Sequence, residues 1–443
     1  MPKRFLSRLV LSVLALALML IGCAHVAPQR LVYRQPVPIK DRVGRYDDGD
    51  YFLAVTVSTG GSRSAVWSAA VLRELFTQVK LDDDRSILDE IDYISCVSSG
   101  SLSSAYYCLK KPLHENRDEE DYDEFFDKFI WEMSRNIEKS AFFRPRLWLR
   151  VLSSPMEKAF FLKDDFNLYY LSGLTFGYLQ KRTERGDAPV LIVNGTVLNN
   201  GKKFLFTTLH CSNFEVNTGG DMEGLMFTPI GKSNVPLRGK IYSTLYAEDL
   251  GISIRDMKIS WAIASSISVP SLIGPVPLMN RRKEVEESGA YFHISDGGVC
   301  DPLGLEAVLQ LFDNRVNVEK KDYRGAMIIV IDARRRIDQM ETILSKDIKA
   351  KELTSRTNLI YSNQAMYLTY VTYMLSLQNE EFKKVKLVYV SPYITDDPKL
   401  VERFEKIPTR LKIRGKDVET LEEAAVNVVG NLKDEIIKNF KGE

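Results

Sequence analysis

The stretch DYISCVSSGSLSSAYY, residues 92–107, changes character midway. Tyr93 to Val97 is apolar and β-branched and predicts a buried strand. From Ser99 the spacing predicts a helix running to about Lys110. Between the two lie serines and a single glycine. Cys96-Val97-Ser98-Ser99-Gly100 follows the G-x-S-x-G pattern, with cysteine at the first glycine position. In that pattern the serine stands at the apex of a sharp strand-to-helix turn, and small residues are needed two before and two after it because the backbone is cramped. Ser98 is the apex and a candidate nucleophile. The helix starting beneath it offers unpaired amides and a positive dipole end to any negative charge forming there. A tight junction with no chemistry is the other reading of the same residues.

Outward from this turn the pattern keeps alternating. YFLAVTV (51–57) predicts a buried strand and residues 63–80 a helix. A long, mostly helical stretch covers 121–181, followed by strands at VLIVNGTVL and KKFLFTT. A helix fits 255–266, a short strand fits YFHI and a helix fits 304–313. AMIIVID and KLVYV are two further buried strands, with a helix between them over about 346–379. A charged amphipathic helix begins near Asp417. Strands alternating with helices imply a mostly parallel sheet covered on both faces, an α/β fold whose ligands bind just beyond the strands' C-terminal ends.

A nucleophilic serine needs a base. In the α/β-hydrolase order an acid and then a histidine follow the serine. The chain's four histidines are His25, His114, His210 and His293, and no motif marks any of them. Acids lie between Ser98 and the later histidines, so a conventional triad stays open at this level. Two other stretches fill the gap better. VSTGGSRSA (57–65) follows the first strand, and Gly60 and Gly61 let backbone N–H groups turn toward one point, as an oxyanion hole requires. A plain turn is its alternative. The Walker pattern and the G-x-G-x-x-G fingerprint are both missing here. ISDGGVCDPLGLEAV (294–308) places Asp296 before two glycines. An isolated aspartate, with a pKa of about 3.9, is a weak base. Partial burial raises that value and suits the group to taking a serine proton. An Asx turn is the alternative here.

Taken together, a glycine-rich turn after the first strand, a serine elbow after the second and a distant Asp-Gly-Gly resemble the patatin-like phospholipase family. VLIVNGTVLNNGKKFLF resembles that family's strand pair, and WAIASSISVPSLIGPV its segment of small residues and prolines ahead of the catalytic aspartate. The resemblance covers roughly residues 51–335. It implies a three-layer α/β/α sandwich and a Ser–Asp dyad that works without histidine. It further implies Ser98 as nucleophile, Asp296 as base, and Gly60, Gly61 and the Ser62 amide as the oxyanion hole. Arg63 stands next to them as a possible contact for substrate or headgroup. Thr59 stands where the family usually has another glycine, and Cys96 replaces the elbow glycine.

The remaining segments bear on where such a site would work. Lys3, Arg4 and Arg8 precede an apolar run from Leu9 to Gly22 that falls short of the roughly 20 residues of a spanning helix. This reads as a signal peptide over 1–22. It ends in Leu20-Ile21-Gly22-Cys23, which resembles a bacterial lipobox and implies cleavage before Cys23, a lipid such as palmitate on the new N-terminus, and firm membrane attachment. Residues 23–50 read as a polar tether and 51–443 as the hydrolase domain, with a helical insertion at about 112–185. Ala24 after the lipidated cysteine implies the outer membrane in a cell that has two. Four other cysteines form no disulfide framework and no C-x-x-C metal spacing, although one pair remains open. With 60 basic and 59 acidic residues and no basic run, nothing points to nucleic acid.

In the insertion, Phe125, Phe126, Phe129, Ile130 and Met133 share one helical face, and SAFFRPRLWLRVLSS mixes aromatics with Arg144, Arg146 and Arg150. These are either core or a lipid-facing lid. Arg334, Arg335 and Arg336 lie just past a strand end, open to an anionic headgroup or to solvent. The expected activity is hydrolysis of membrane phospholipid or another acyl-ester lipid through an acyl-enzyme, with no cofactor or metal in the scheme. An acyltransferase on the same dyad and a non-catalytic lipid-binding envelope protein are the alternatives.

Overall fold

The computed structural model describes residues 50–81, 85–113, 119–138, 157–210, 212, 244–269, 273–281, 290–336, parts of 360–377, and 380–442. The leader at 1–22, Cys23 and the tether lie outside the described residues, as do His25, His114, Cys211 and the arginine-rich segment around Trp148.

Nine strands form one sheet among the described residues: β1 Tyr51–Val57, β2 Tyr93–Val97, β3 Val190–Val197, β4 Lys203–Thr207, β5 Leu245–Tyr246, β6 Val276–Met279, β7 Tyr291–Asp296, β8 Gly325–Ile331 and β9 Val385–Val390. The order is β5-β4-β3-β2-β1-β8-β9, and β6 and β7 pair off to the side of β3. Strands β3, β2, β1, β8 and β9 run parallel, whereas β4 and β7 run antiparallel to β3. β1 is buried along its whole length, as a central parallel strand covered on both faces must be.

The helices α1 Ser62–Gln78, α2 Ser99–Lys110, α3 Glu119–Ser134, α4 Glu157–Tyr169, α5 Phe176–Glu184, α6 Ile259–Ile267, α7 Leu305–Asp313, α8 Pro398–Glu405 and α9 Gly415–Lys441 fill two layers. Leu53, Val55 and Val57 point into the larger core with α1, α2, α6 and α9. Phe52 and Ala54 point into the smaller one with Val308, Leu311 and Phe312 of α7 and Phe382. The result is a mostly parallel α/β/α sandwich. Progress from β1 to β3 carries its helices on the first face, while the chain between β8 and β9 packs Met366 and Leu377 on the second. β1 and β8 therefore flank the point where the winding reverses, the place where such sheets open a crevice.

Several expectations shift. The helix expected at 255–266 begins at Ile259, after a short 3-10 turn at Ile254–Asp256. β6 and α8 were not read from the sequence. β6 carries Pro277 and pairs with β7 alone, a tolerable place for a residue lacking an N–H. The aromatic face of α3 is core rather than lid: Phe126, Phe129 and Met133 are fully buried, and the Phe129 ring stacks on Tyr106 of α2. Cys96, Cys108 and Cys300 are free thiols. No helix of the described residues is long and apolar enough to cross a membrane.

Candidate active site

The elbow at the end of β2 is tight. Ser98 has φ 55° and ψ −131°, a backbone state that side chains rarely adopt and that is retained where the surroundings impose it. Gly100 explains part of this. A methyl group there would lie 2.6 Å from Val57 Cγ1 and 2.7 Å from the Ser58 carbonyl oxygen, so only glycine lets α2 lie this close to the end of β1. Cys96 fits at the first glycine position because its side chain turns down into the larger core, where Sγ lies 3.3 Å from the Ile192 carbonyl oxygen.

Sheet register carries Asp296 to the serine. β3 pairs with β2 up to Val97 opposite Asn194, and its next residues pair with β7, Gly195 opposite Asp296. β2 and β7 thus approach the same edge of β3 from opposite directions, and their ends meet. Ser98 Oγ donates to Asp296 Oδ2 at 2.7 Å across 198 residues of sequence. The other carboxylate oxygen, Oδ1, accepts the Gly298 N–H at 2.7 Å. Both residues are nearly enclosed, at 4% and 5% exposure. Burial raises the Asp296 pKa from 3.8 to about 6, against the lowering effect of the Ser98 and Gly298 hydrogen bonds. A carboxylate poised there is a competent base near neutrality.

A further residue, Ser266, supports the elbow. Its Oγ accepts the Ser98 N–H at 2.8 Å and donates to the Asn194 carbonyl oxygen at 2.6 Å. It lies in the small-residue segment noted in the sequence, but nothing local distinguished it from Ser265 or Ser268. Of the two described histidines, His210 hydrogen-bonds Ser212 Oγ through Nδ1, and His293 stands in β7 opposite Pro277.

The glycine turn departs from expectation in two ways. Gly61 has φ 66°, and among the described residues no acceptor takes the Gly60 or Gly61 amide. The Ser62 amide, expected as a third oxyanion donor, instead donates to the Arg410 carbonyl oxygen at 2.7 Å. Arg63, expected as a headgroup contact, is 1% exposed. Its Nε and Nη1 donate to the Ala333 and Ile407 carbonyls at 2.7 Å each, and Nη2 to Thr409 Oγ1 at 3.1 Å. That guanidinium braces the fold and does not face a ligand. Thr59 replaces glycine without blocking the turn: its amide donates to Pro302 at 3.0 Å, and its side chain lies beside Gly298.

Fold and site together define an α/β protein with an elbow serine hydrogen-bonded to a buried aspartate. The patatin-like phospholipase family model matches residues 55–309, more than half of the chain, and the chain belongs to that family. No curated protein matches the sequence. Among solved structures, human GIVD cytosolic phospholipase A2 is similar at 9% identity and TM-score 0.42, over 89% of this chain and 63% of that one. Its complex with methyl gamma-linolenyl fluorophosphonate is similar at 10% identity and TM-score 0.44, over 89% and 60%. The chain thus spans about three fifths of those structures' length.

Proposed function

We propose that the chain is a membrane-anchored serine acyl hydrolase acting on phospholipid or related acyl-ester lipids through a Ser98–Asp296 dyad. The observation that carries this reading is the 2.7 Å hydrogen bond between Ser98 Oγ and a buried carboxylate whose pKa is raised to about 6. Ser98 Oγ attacks the ester carbonyl carbon while its proton passes to Asp296 Oδ2. The oxyanion accepts hydrogen bonds from the free Gly60 and Gly61 amides. The tetrahedral intermediate collapses, Asp296 gives its proton to the departing alcohol, and the acyl group stays on Ser98. Water then attacks the acyl-enzyme, Asp296 takes its proton, and the fatty acid departs as Ser98 recovers its hydrogen.

Anchoring would come from lipid on Cys23, with the outer membrane as the destination in a two-membrane cell. Support for this is the sequence pattern at 1–24. The test of the dyad is hydrolysis of mixed phospholipid vesicles by the parent chain and Ser98→Ala. The variant is expected to keep its melting temperature and lose at least about 10⁴-fold in kcat. Retained turnover would reject the assignment.

A further inference from the structure

At the edge of the sheet where the parallel strands end, a cavity of about 290 Å³ opens past β8 and β9. Asp332, Arg334, Arg335 and Arg336, which follow β8, line it together with Tyr389 of β9 and Tyr393 just beyond. Arg334 is 8% exposed. Its Nε and Nη2 donate to Asp332 at 2.9 and 2.8 Å, which fixes the plane of the guanidinium. Its Nη1 is buried and has no hydrogen-bond partner among the described residues. Tyr389 Oη donates to the same carboxylate, so Asp332 is fully engaged. Arg336 lies over the Tyr393 ring at 4.4 Å, and both Arg335 and Arg336 are exposed.

Three guanidiniums thus meet a single carboxylate among the described lining residues, in a chain whose net charge is only +1. Like charges gathered in a cavity repel unless an anion joins them, and with Nε and Nη2 spent on Asp332 and, at 2.7 Å, on Met366 Sδ, the N–H groups of Arg334 left over are those of Nη1.

We propose that this cavity is a phosphate-binding site, with Arg334 as the buried anchor and Arg335 and Arg336 closing on the phosphate from outside. The phosphate is carried either by a lipid headgroup or by a soluble ester. The cavity lies past the ends of β8 and β9, two to three strand spacings, or about 10–14 Å, from β2. That lipid source rests on the hydrolase reading, whereas the phosphate site itself does not.

The test uses the full chain carrying Ser98→Ala, so that no turnover intervenes. Titration calorimetry with inorganic phosphate is expected to show one saturable site. Adding Arg335→Ala and Arg336→Ala, both at exposed side chains, should weaken it at least tenfold with the melting temperature unchanged. Flotation with phosphatidylcholine vesicles, with and without phosphatidylglycerol, identifies the source. A preference for the anionic vesicles that the two arginine substitutions abolish assigns the phosphate to a headgroup. Saturable phosphate binding with no vesicle preference assigns it to a soluble ester and keeps the site. Absence of saturable phosphate binding, or binding untouched by the arginine substitutions, overturns the proposal. Loss of hydrolysis in a Ser98→Ala comparison speaks only to the dyad, so the two readings fail separately.

Discussion

Asp296 combines two properties that oppose each other. Enclosure makes its negative charge costly, yet the charge is what accepts the hydrogen bond of Ser98. With the pKa raised to about 6, kcat/KM should climb as pH rises through that value and level off above it, as the carboxylate becomes available. The stability effect has the opposite sign. A carboxyl whose pKa is higher in the folded state favours folding while protonated, so this contribution is complete below about 3.8 and is lost as pH rises through about 6. Asp296→Asn removes that loss. Urea titrations should show the variant gaining stability over the parent between about pH 4 and pH 7, while its kcat falls by roughly 10²–10⁴-fold. A stability difference that does not change with pH would contradict a raised pKa at this carboxyl. The meeting of Ser98 and Asp296 was legible because each sits in a short pattern that is local in sequence. Ser62 and Arg63 were misread for the converse reason. Their partners, Arg410, Ile407 and Thr409, lie far along the chain, and no local pattern reveals which way an amide or a guanidinium turns.

At the scale of elements, the elbow depends on how α1 is held. Arg63, in its first turn, ties the helix to the loop after β8 and to the segment between α8 and α9. Its charge is compensated by carbonyl oxygens and by the Phe404 ring at 5.3 Å, and burial lowers its pKa to about 10. Arg63→Ala leaves two buried carbonyls without donors and should cost about 3 kcal/mol or more in urea unfolding with no lipid present. Arg63→Lys should recover little of that, since an ammonium cannot reproduce the fork. Parent-like stability in Arg63→Ala would mean the side chain is free to meet substrate after all. The alternation of strands and helices gave most elements correctly because β1, β2 and β8 are continuous apolar runs. β6 escaped because four residues with a central proline carry too little pattern. Equally hidden was the arrival of β7 against β3, which is a matter of sheet register and not of any residue in β7.

Across the whole molecule, the family match ends at residue 309, yet the fold does not. β8 pairs with β1 along its full length, β9 pairs with β8, and α9 sends Leu421, Ala425 and Val428 into the larger core beside α1. A chain cut after residue 309 would expose the edge of β1 and the apolar flank of α1 together. It should lack near-ultraviolet dichroism and aggregate. A soluble, cooperatively melting fragment would show that the matched region is autonomous. This C-terminal third also supplies Arg410 and Ile407, so it shapes the glycine turn from outside the family pattern.

The most direct measurement is the mass of the intact chain after exposure to a fluorophosphonate, followed by mapping of its peptides. A single phosphonyl adduct on the 92–107 peptide is expected, formed faster as pH rises through about 6 and missing from Ser98→Ala. An unmodified chain, or an adduct on any other peptide, would contradict a nucleophilic Ser98 activated by Asp296.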